Sequence, residues 1–369
     1  MRLAEFIQRA LARTGLDGDS APMRRLGESL RRAVSPDAPA SGEVLLERSG
    51  ALPQDAAQLR ELAPHPQPAG TPPGSFTTHQ FASRAGARKY KLYVPGRALH
   101  RAPLVVMLHG CRQSADDLAA GTGMNRHADR QGFIVAYPEQ SPEANASMCW
   151  NWFSARDQLR DAGEPSLIAG IVREVAARHD VDPRRIFIAG MSAGAAMALI
   201  LGEAYPDLFA AVGVHSGVPY GSAHDLGSAL SVMKGRGSAM PLASGVAAAL
   251  RRKAARAVPV IVFHGDRDRT VQHANAEEII EQAIEAHVAA AAATALSKST
   301  HTGVAGGRAY TRTVHADATG RARVESWTLH GAGHAWSGGH PSGSFTDPDG
   351  PDASAEMIRF FLQLQEGDA

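Results

Sequence analysis

Cysteine is nearly absent: Cys111 and Cys149 are the only two in 369 residues. Two thiols cannot build a cysteine-rich zinc site. Their separation leaves both a pair of free thiols and a single disulfide open, the latter contributing about 4 kcal/mol through loop closure. Long apolar runs are also missing. None reaches the ~18 residues that a spanning helix needs, which predicts no transmembrane segment. The amino terminus carries Glu5 and Arg9 where a secretory signal would be apolar. Without a recognisable signal peptide, the expected location is cytoplasmic. Neither sign of charge is in excess, with a net charge of +1, so nothing points to nucleic acid as a partner. H-E-x-x-H, Walker A and a strand-borne G-x-G-x-x-G do not occur, which predicts no metal, nucleotide or dinucleotide cofactor. There are no internal repeats.

What is present is an ordinary globular composition, 44% hydrophobic and 20% charged. Residues 1–35 read as a helical extension. Leu3, Phe6, Ile7, Ala10 and Leu11 share one helical face, and Met23, Leu26 and Leu30 another after Pro22. Arginines surround both stripes, giving either a face that contacts a lipid, polymer or granule surface or a plain solvated one. Residues 36–74 form a Pro-rich linker through Pro53, Pro64, Pro66, Pro68, Pro72 and Pro73. Residues 75–369 then alternate strand and helix, the pattern of an α/β domain with a mostly parallel central sheet flanked by helices. Leu104–Leu108 is a continuous apolar run, as expected of a strand buried on both faces. The spacing predicts one helix over Asp116–Arg130, a helical insertion over 218–256 near the mouth of the site, and closing strands at Arg308–His315 and Arg323–Leu329.

The stretch that organises this domain is Gly190-Met191-Ser192-Ala193-Gly194, a G-x-S-x-G between a β-branched run and a small-residue helix. A serine hydroxyl is a weak nucleophile and must stand clear of the backbone beside a base. A tight strand-to-helix turn does this, and glycines two residues to either side avoid collision. The base needs an orienting acid, and in this architecture the order along the chain is Ser, Asp or Glu, then His. Pro259–Phe263 is followed by His264-Gly265-Asp266-Arg267-Asp268. Asp268 fits the H-G-x-x-D-x-x-V turn, with Asp266 second; His264 reads as a packing residue. His334, in Gly331-Ala332-Gly333-His334, is the base expected after the last strand. His330 reads as structural and His340 as a weaker alternative. For the oxyanion, Ala193 N–H supplies one donor and Cys111 N–H the other, with Arg112 the alternative. His109 is expected to fix that loop by hydrogen bonds.

Together, Leu108-His109-Gly110-Cys111, Cys149-Trp150-Asn151-Trp152-Phe153, Gly190–Gly194, His264-Gly265 with Asp268, and Gly333-His334-Ala335-Trp336 resemble the poly(3-hydroxybutyrate) depolymerase family of esterases. That family's relatives include feruloyl and acetylxylan esterases. The resemblance spans roughly residues 75–365 and implies an α/β-hydrolase fold with Ser192, Asp268 and His334 as the triad. It also implies a disulfide between Cys111 and Cys149, clamping the oxyanion loop to the Trp150 loop, and an extracellular location at odds with the missing signal. Trp150 and Trp336 are the expected substrate-facing aromatics. The expected partner is an ester substrate, polymeric or oligomeric. A granule-binding protein on a hydrolase scaffold is the competing class, and a peptidase or acyltransferase would use the same triad.

Overall fold

The computed structural model describes residues 74–97, 100–236, 256–291 and 295–364, all within one compact unit, Pro66–Ala369. The expected helical extension and all but Gly74 of the linker lie outside the described residues.

Ten strands form one sheet: β1 (Ser75–Ser83), β2 (Gly86–Val94), β3 (Ala102–Leu108), β4 (Ile134–Pro138), β5 (Val181–Met191), β6 (Ala211–His215), β7 (Val260–Gly265), β8 (Ser297–Ala305), β9 (Arg308–Ala316) and β10 (Ala322–Leu329). Their order is β1-β2-β4-β3-β5-β6-β7-β10-β9-β8. The pairs from β4 through β10 are parallel, and the strands added at each end pair antiparallel. All seven residues of β3 are buried. Leu104, Val106 and Leu108 enter one apolar core, and Val105 and Met107 the other. That two-residue alternation, with no polar face, is what a strand covered on both sides requires.

Helices cover both faces. α1 (Ala115–Thr122), α2 (Met124–Gln131) and α7 (Ala353–Gln363) bring Leu118, Met124, Ala128, Met357 and Phe361 to the core that holds Val105 and Met107. α3 (Gly163–Arg178), α4 (Ala193–Ala204) and α6 (Ala274–Ala291) bring Ile168, Ile171, Val175, Leu201 and Ile279 to the opposite core. Each such aliphatic side chain, fully buried, stabilises the fold by about 1.5–3 kcal/mol.

One expected element changes, one is described only in part, and one strand is new. The single helix over Asp116–Arg130 is two, because Gly123 takes φ 61° and its N–H caps Ala119 while the next helix starts. The 218–256 insertion is described only over 218–236 and at residue 256; within it α5 (Leu226–Met233) opens with a capping box at Asp225. β8 was not expected: Ser297–Ala305 is polar and nearly all exposed, so it has no hydrophobic period to read. After β3 the chain adds β4 on one side, then β5 on the other. The carboxyl ends of β3 and β5 therefore flank the crevice where such sheets bind ligands.

Candidate active site

Ser192 lies at that crevice, on the turn from β5 into α4, with φ 55° and ψ −119°. The two flanking glycines answer to steric need. A Cβ on Gly190 would overlap the Gly194 carbonyl, and one on Gly194 would overlap the carbonyl oxygens of Leu108 and His109. The serine N–H donates to His215 O at 2.9 Å, which ties the turn to β6. Ala193 is the first residue of α4, so its N–H has no carbonyl four residues behind it.

The loop after β3 lies against this turn: a Cβ on Gly110 would sit 3.5 Å from Ser192 Cβ. Three groups hold the loop. His109 is buried, accepts from Gln140 N–H at Nε2 (3.0 Å), and so carries its proton on Nδ1, which donates to Gly110 O at 2.8 Å. Burial lowers its pKa and keeps it neutral. Gln113 accepts the Gly110 N–H at 2.9 Å and donates to Asp117 at 2.7 Å. Asp117 in turn accepts the N–H of Ser344 at 2.8 Å. Gln113, Asp117 and Ser344 escaped the sequence reading because they bear no motif and meet only through folding. Arg112 N–H donates to Ser147 O at 2.8 Å, which engages the alternative oxyanion donor elsewhere. Cys111 and Cys149 form a disulfide, joining this loop to the segment that carries Trp150.

Asp268 follows β7 and is buried. Its Oδ1 accepts the N–H groups of Thr270 (2.8 Å) and Val271 (2.9 Å), and its Oδ2 meets His334 Nδ1 at 2.6 Å. One carboxylate therefore caps its own turn and holds an imidazole 66 residues away. Burial pushes the carboxyl pKa up. The His334 hydrogen bond and charge and the Val271 N–H outweigh that, so the net shift is down and the group is ionised. An ionised carboxylate only accepts, so His334 carries a proton on Nδ1 and donates it to Asp268.

Asp266 and His330 are not idle: their side chains pair with each other at 2.9 Å, on the same two loops. His264 donates from Nε2 to Val271 O at 2.9 Å, and burial lowers its pKa to about 4. His340 pairs with Ser342. His215 went unremarked in the sequence and is the hub of the site. Its carbonyl holds Ser192 N–H, its Nε2 accepts from Ser337 N–H at 3.1 Å, and its ring stacks on Trp336 at 5.0 Å. Burial, with the charges of His264 and His334, lowers its pKa to about 3.

Trp150 and Trp336 do not form an open substrate wall. They are 0% and 1% exposed. Trp150 donates to His109 O at 3.1 Å, beneath the oxyanion loop, and Trp336 to Ser354 Oγ at 3.1 Å. An indole that buries its ring and satisfies its N–H in this way supports the site from behind. Among the described residues, no group of three or more His, Cys, Asp or Glu could hold a metal ion, and no helix is long and apolar enough to cross a membrane.

The family model described as Esterase PHB depolymerase matches residues 88–304. Poly(3-hydroxyalkanoate) depolymerase C of Paucimonas lemoignei is 32% identical over 257 residues, covering 69% of this chain and 60% of that protein. Acetylxylan esterase of Coprinopsis cinerea is 30% identical over 278 residues, covering 71% and 70%. Feruloyl esterase B of Talaromyces funiculosus is 30% identical over 156 residues, covering 42% and 43%. The chain thus spans less than two thirds of the depolymerase and of the feruloyl esterase. Among solved structures, acetyl xylan esterase from Aspergillus awamori superposes with a TM-score of 0.60 at 20% identity, over 78% of this chain and 99% of that one. That likeness is one of fold.

Proposed function

The chain belongs to the PHB depolymerase family of esterases, and from that premise we propose that it hydrolyses carboxylic esters through an acyl-enzyme on Ser192. His334 Nε2 takes the serine proton as the hydroxyl attacks the ester carbonyl. The tetrahedral oxyanion accepts hydrogen bonds from Cys111 N–H and Ala193 N–H, each such donor being worth about 3 kcal/mol in the transition state. His334 returns the proton to the leaving alcohol, then activates the water that releases the acid. Asp268 keeps the proton on Nδ1 throughout and stabilises the imidazolium. The observation that carries this reading is the 2.6 Å bond between buried Asp268 and His334 Nδ1, two residues the sequence singled out for these roles.

For the substrate we favour poly(3-hydroxybutyrate) or its oligomers, supported by the family model and the depolymerase relative. The second reading is a feruloyl- or acetylxylan-type esterase, supported by the acetylxylan esterase matched over 70% of its length. A panel of 3-hydroxybutyrate oligomers, acetylated xylan, methyl ferulate and p-nitrophenyl esters separates the two. The first reading expects kcat/KM on the oligomers to exceed that on both plant esters by about tenfold or more, a difference of ~1.4 kcal/mol in transition-state binding. Preference for either plant ester overturns the polyester assignment and leaves the mechanism standing.

A further inference from the structure

Two carboxylate–imidazole pairs bridge the same two loops. Asp268 with His334 is the buried one. Two residues earlier on the first loop and four earlier on the second, Asp266 Oδ2 meets His330 Nδ1 at 2.9 Å, and His330 Nε2 meets Thr311 Oγ1 at 2.8 Å. Since the carboxylate accepts the Nδ1 proton, the Thr311 hydroxyl donates to Nε2. The result is a second hydroxyl–imidazole–carboxylate relay, spanning β9, the β10 exit and the β7 exit. Its geometry does not make it a second nucleophile. Thr311 lies within β9, flanked by β8 and β10, and no helix amino terminus follows it to meet an oxyanion.

The relay is better placed to aim the loop that carries His334. Asp266 Oδ1 also accepts Gly331 N–H at 2.7 Å, Asp266 N–H donates to Leu329 O at 3.1 Å, and Arg267 N–H donates to Ala332 O at 3.0 Å. His330 is held further by its own N–H on Ala309 O at 3.0 Å and by Arg308 on its carbonyl at 3.3 Å. Beyond this clamp the loop runs against the end of β7, with Ala332 buried. Gly331 sits at φ 75°, and a Cβ on Gly333 would meet nothing within 4 Å. The Gly333 carbonyl passes close to Gly265 at the end of β7, where a Cβ would stand 2.7 Å from it, so the path into His334 is set by that close approach and by the anchored residues on either side. We propose that Asp266, His330 and Thr311 are positioning residues for His334, fixing the direction from which its loop delivers the imidazole to Ser192. The proposal rests on the roles given above to Ser192, Asp268 and His334, and assigns none of the three residues any contact with the ester.

Exposure makes the idea separable from a plain stabilising role. The His330 and Asp266 side chains are 43% and 36% exposed, and polar pairs this open to solvent contribute little to global stability. The test compares Asp266→Asn, His330→Gln and the double variant with the wild type on p-nitrophenyl butyrate. Expected are a fall in kcat of about tenfold, KM within about twofold, and an unchanged Tm, with the double variant no worse than the worse single one, because the residues act as one unit. Thr311→Ser keeps the hydroxyl and should retain activity, whereas Thr311→Val should lose part of it. Wild-type kcat in both single variants, or a Tm that falls in step with kcat, overturns the proposal. A second readout needs no turnover: the downfield proton resonance of His334 Nδ1–H should shift or broaden in Asp266→Asn, and an unmoved line overturns the proposal. A wild type with that resonance but no esterase activity would instead sink the proposed function.

Discussion

At Ser192 the backbone holds φ 55°, a conformation that costs a residue with a side chain about 1–3 kcal/mol. Arg112, Met148 and Ser216, all on segments beside the site, also have positive φ. The strain at Ser192 is sustained by the surrounding hydrogen bonds and glycines, and these give residue-scale predictions. Gly194→Ala drives a methyl into two carbonyl oxygens of the oxyanion loop. It should destabilise the protein by about 2–4 kcal/mol and abolish esterase activity, checked by denaturant melts and by turnover. Gln113→Leu removes the acceptor for Gly110 N–H inside a buried network. An unpaired buried group costs about 1–3 kcal/mol, so kcat should fall at least about fivefold as the loop relaxes, while binding of the ester changes little. Of the two aspartates after β7, the sequence favoured the one that meets His334. What it could not show was that Asp266 and His330 also pair, because pairing across 64 residues is a property of the folded loops.

The loops after β3 and around Trp150 form an element of their own, closed by the Cys111–Cys149 disulfide across 38 residues. Loop closure over that span is worth about 4 kcal/mol in the chain-entropy model. Cys149→Ser should therefore lower Tm by roughly 10 °C and, if Cys111 N–H meets the oxyanion as proposed, reduce kcat as well. A Tm unchanged by the substitution or by reductant would contradict this. The parallel strands of the centre were legible because burial on both faces writes itself as unbroken apolar runs, as in Leu104–Leu108. The elbow was legible because its two glycines are sterically required. β8 was not, since an edge strand wet on both sides needs no apolar residue. The break at Gly123 was not legible because a lone glycine is tolerated inside a helix, and only the fold shows it at φ 61°. The two tryptophans were misplaced because an aromatic beside a motif reads the same whether its ring faces the mouth or supports the loop from beneath.

For the molecule as a whole, buried histidines shape the response to acid, His109 among them. Burial lowers the pKa of His215 to about 3, and those of His264 and His287 to about 4. In the unfolded chain each returns to about 6.5. Above that pH they are neutral in both states and contribute no pH dependence. As pH falls below it, the unfolded chain binds protons that the folded protein refuses, so stability drops until the folded groups themselves titrate. Each site adds up to about 1.4 kcal/mol per pH unit, so the midpoint of urea unfolding should fall steeply between about pH 6.5 and 4. His287→Leu, far from Ser192 in the chain, should flatten the slope, and a midpoint constant across that range would refute the assignment. The central claim is that one hydroxyl, activated by His334 and Asp268, carries the ester chemistry, and covalent labelling tests it most directly. Diethyl p-nitrophenyl phosphate followed by peptide mass spectrometry should place one adduct on Ser192, with esterase activity lost in proportion to labelling and His334→Ala almost unlabelled. Esterase activity that survives full labelling, or a Ser192→Ala variant that turns over at the wild-type rate, would contradict it.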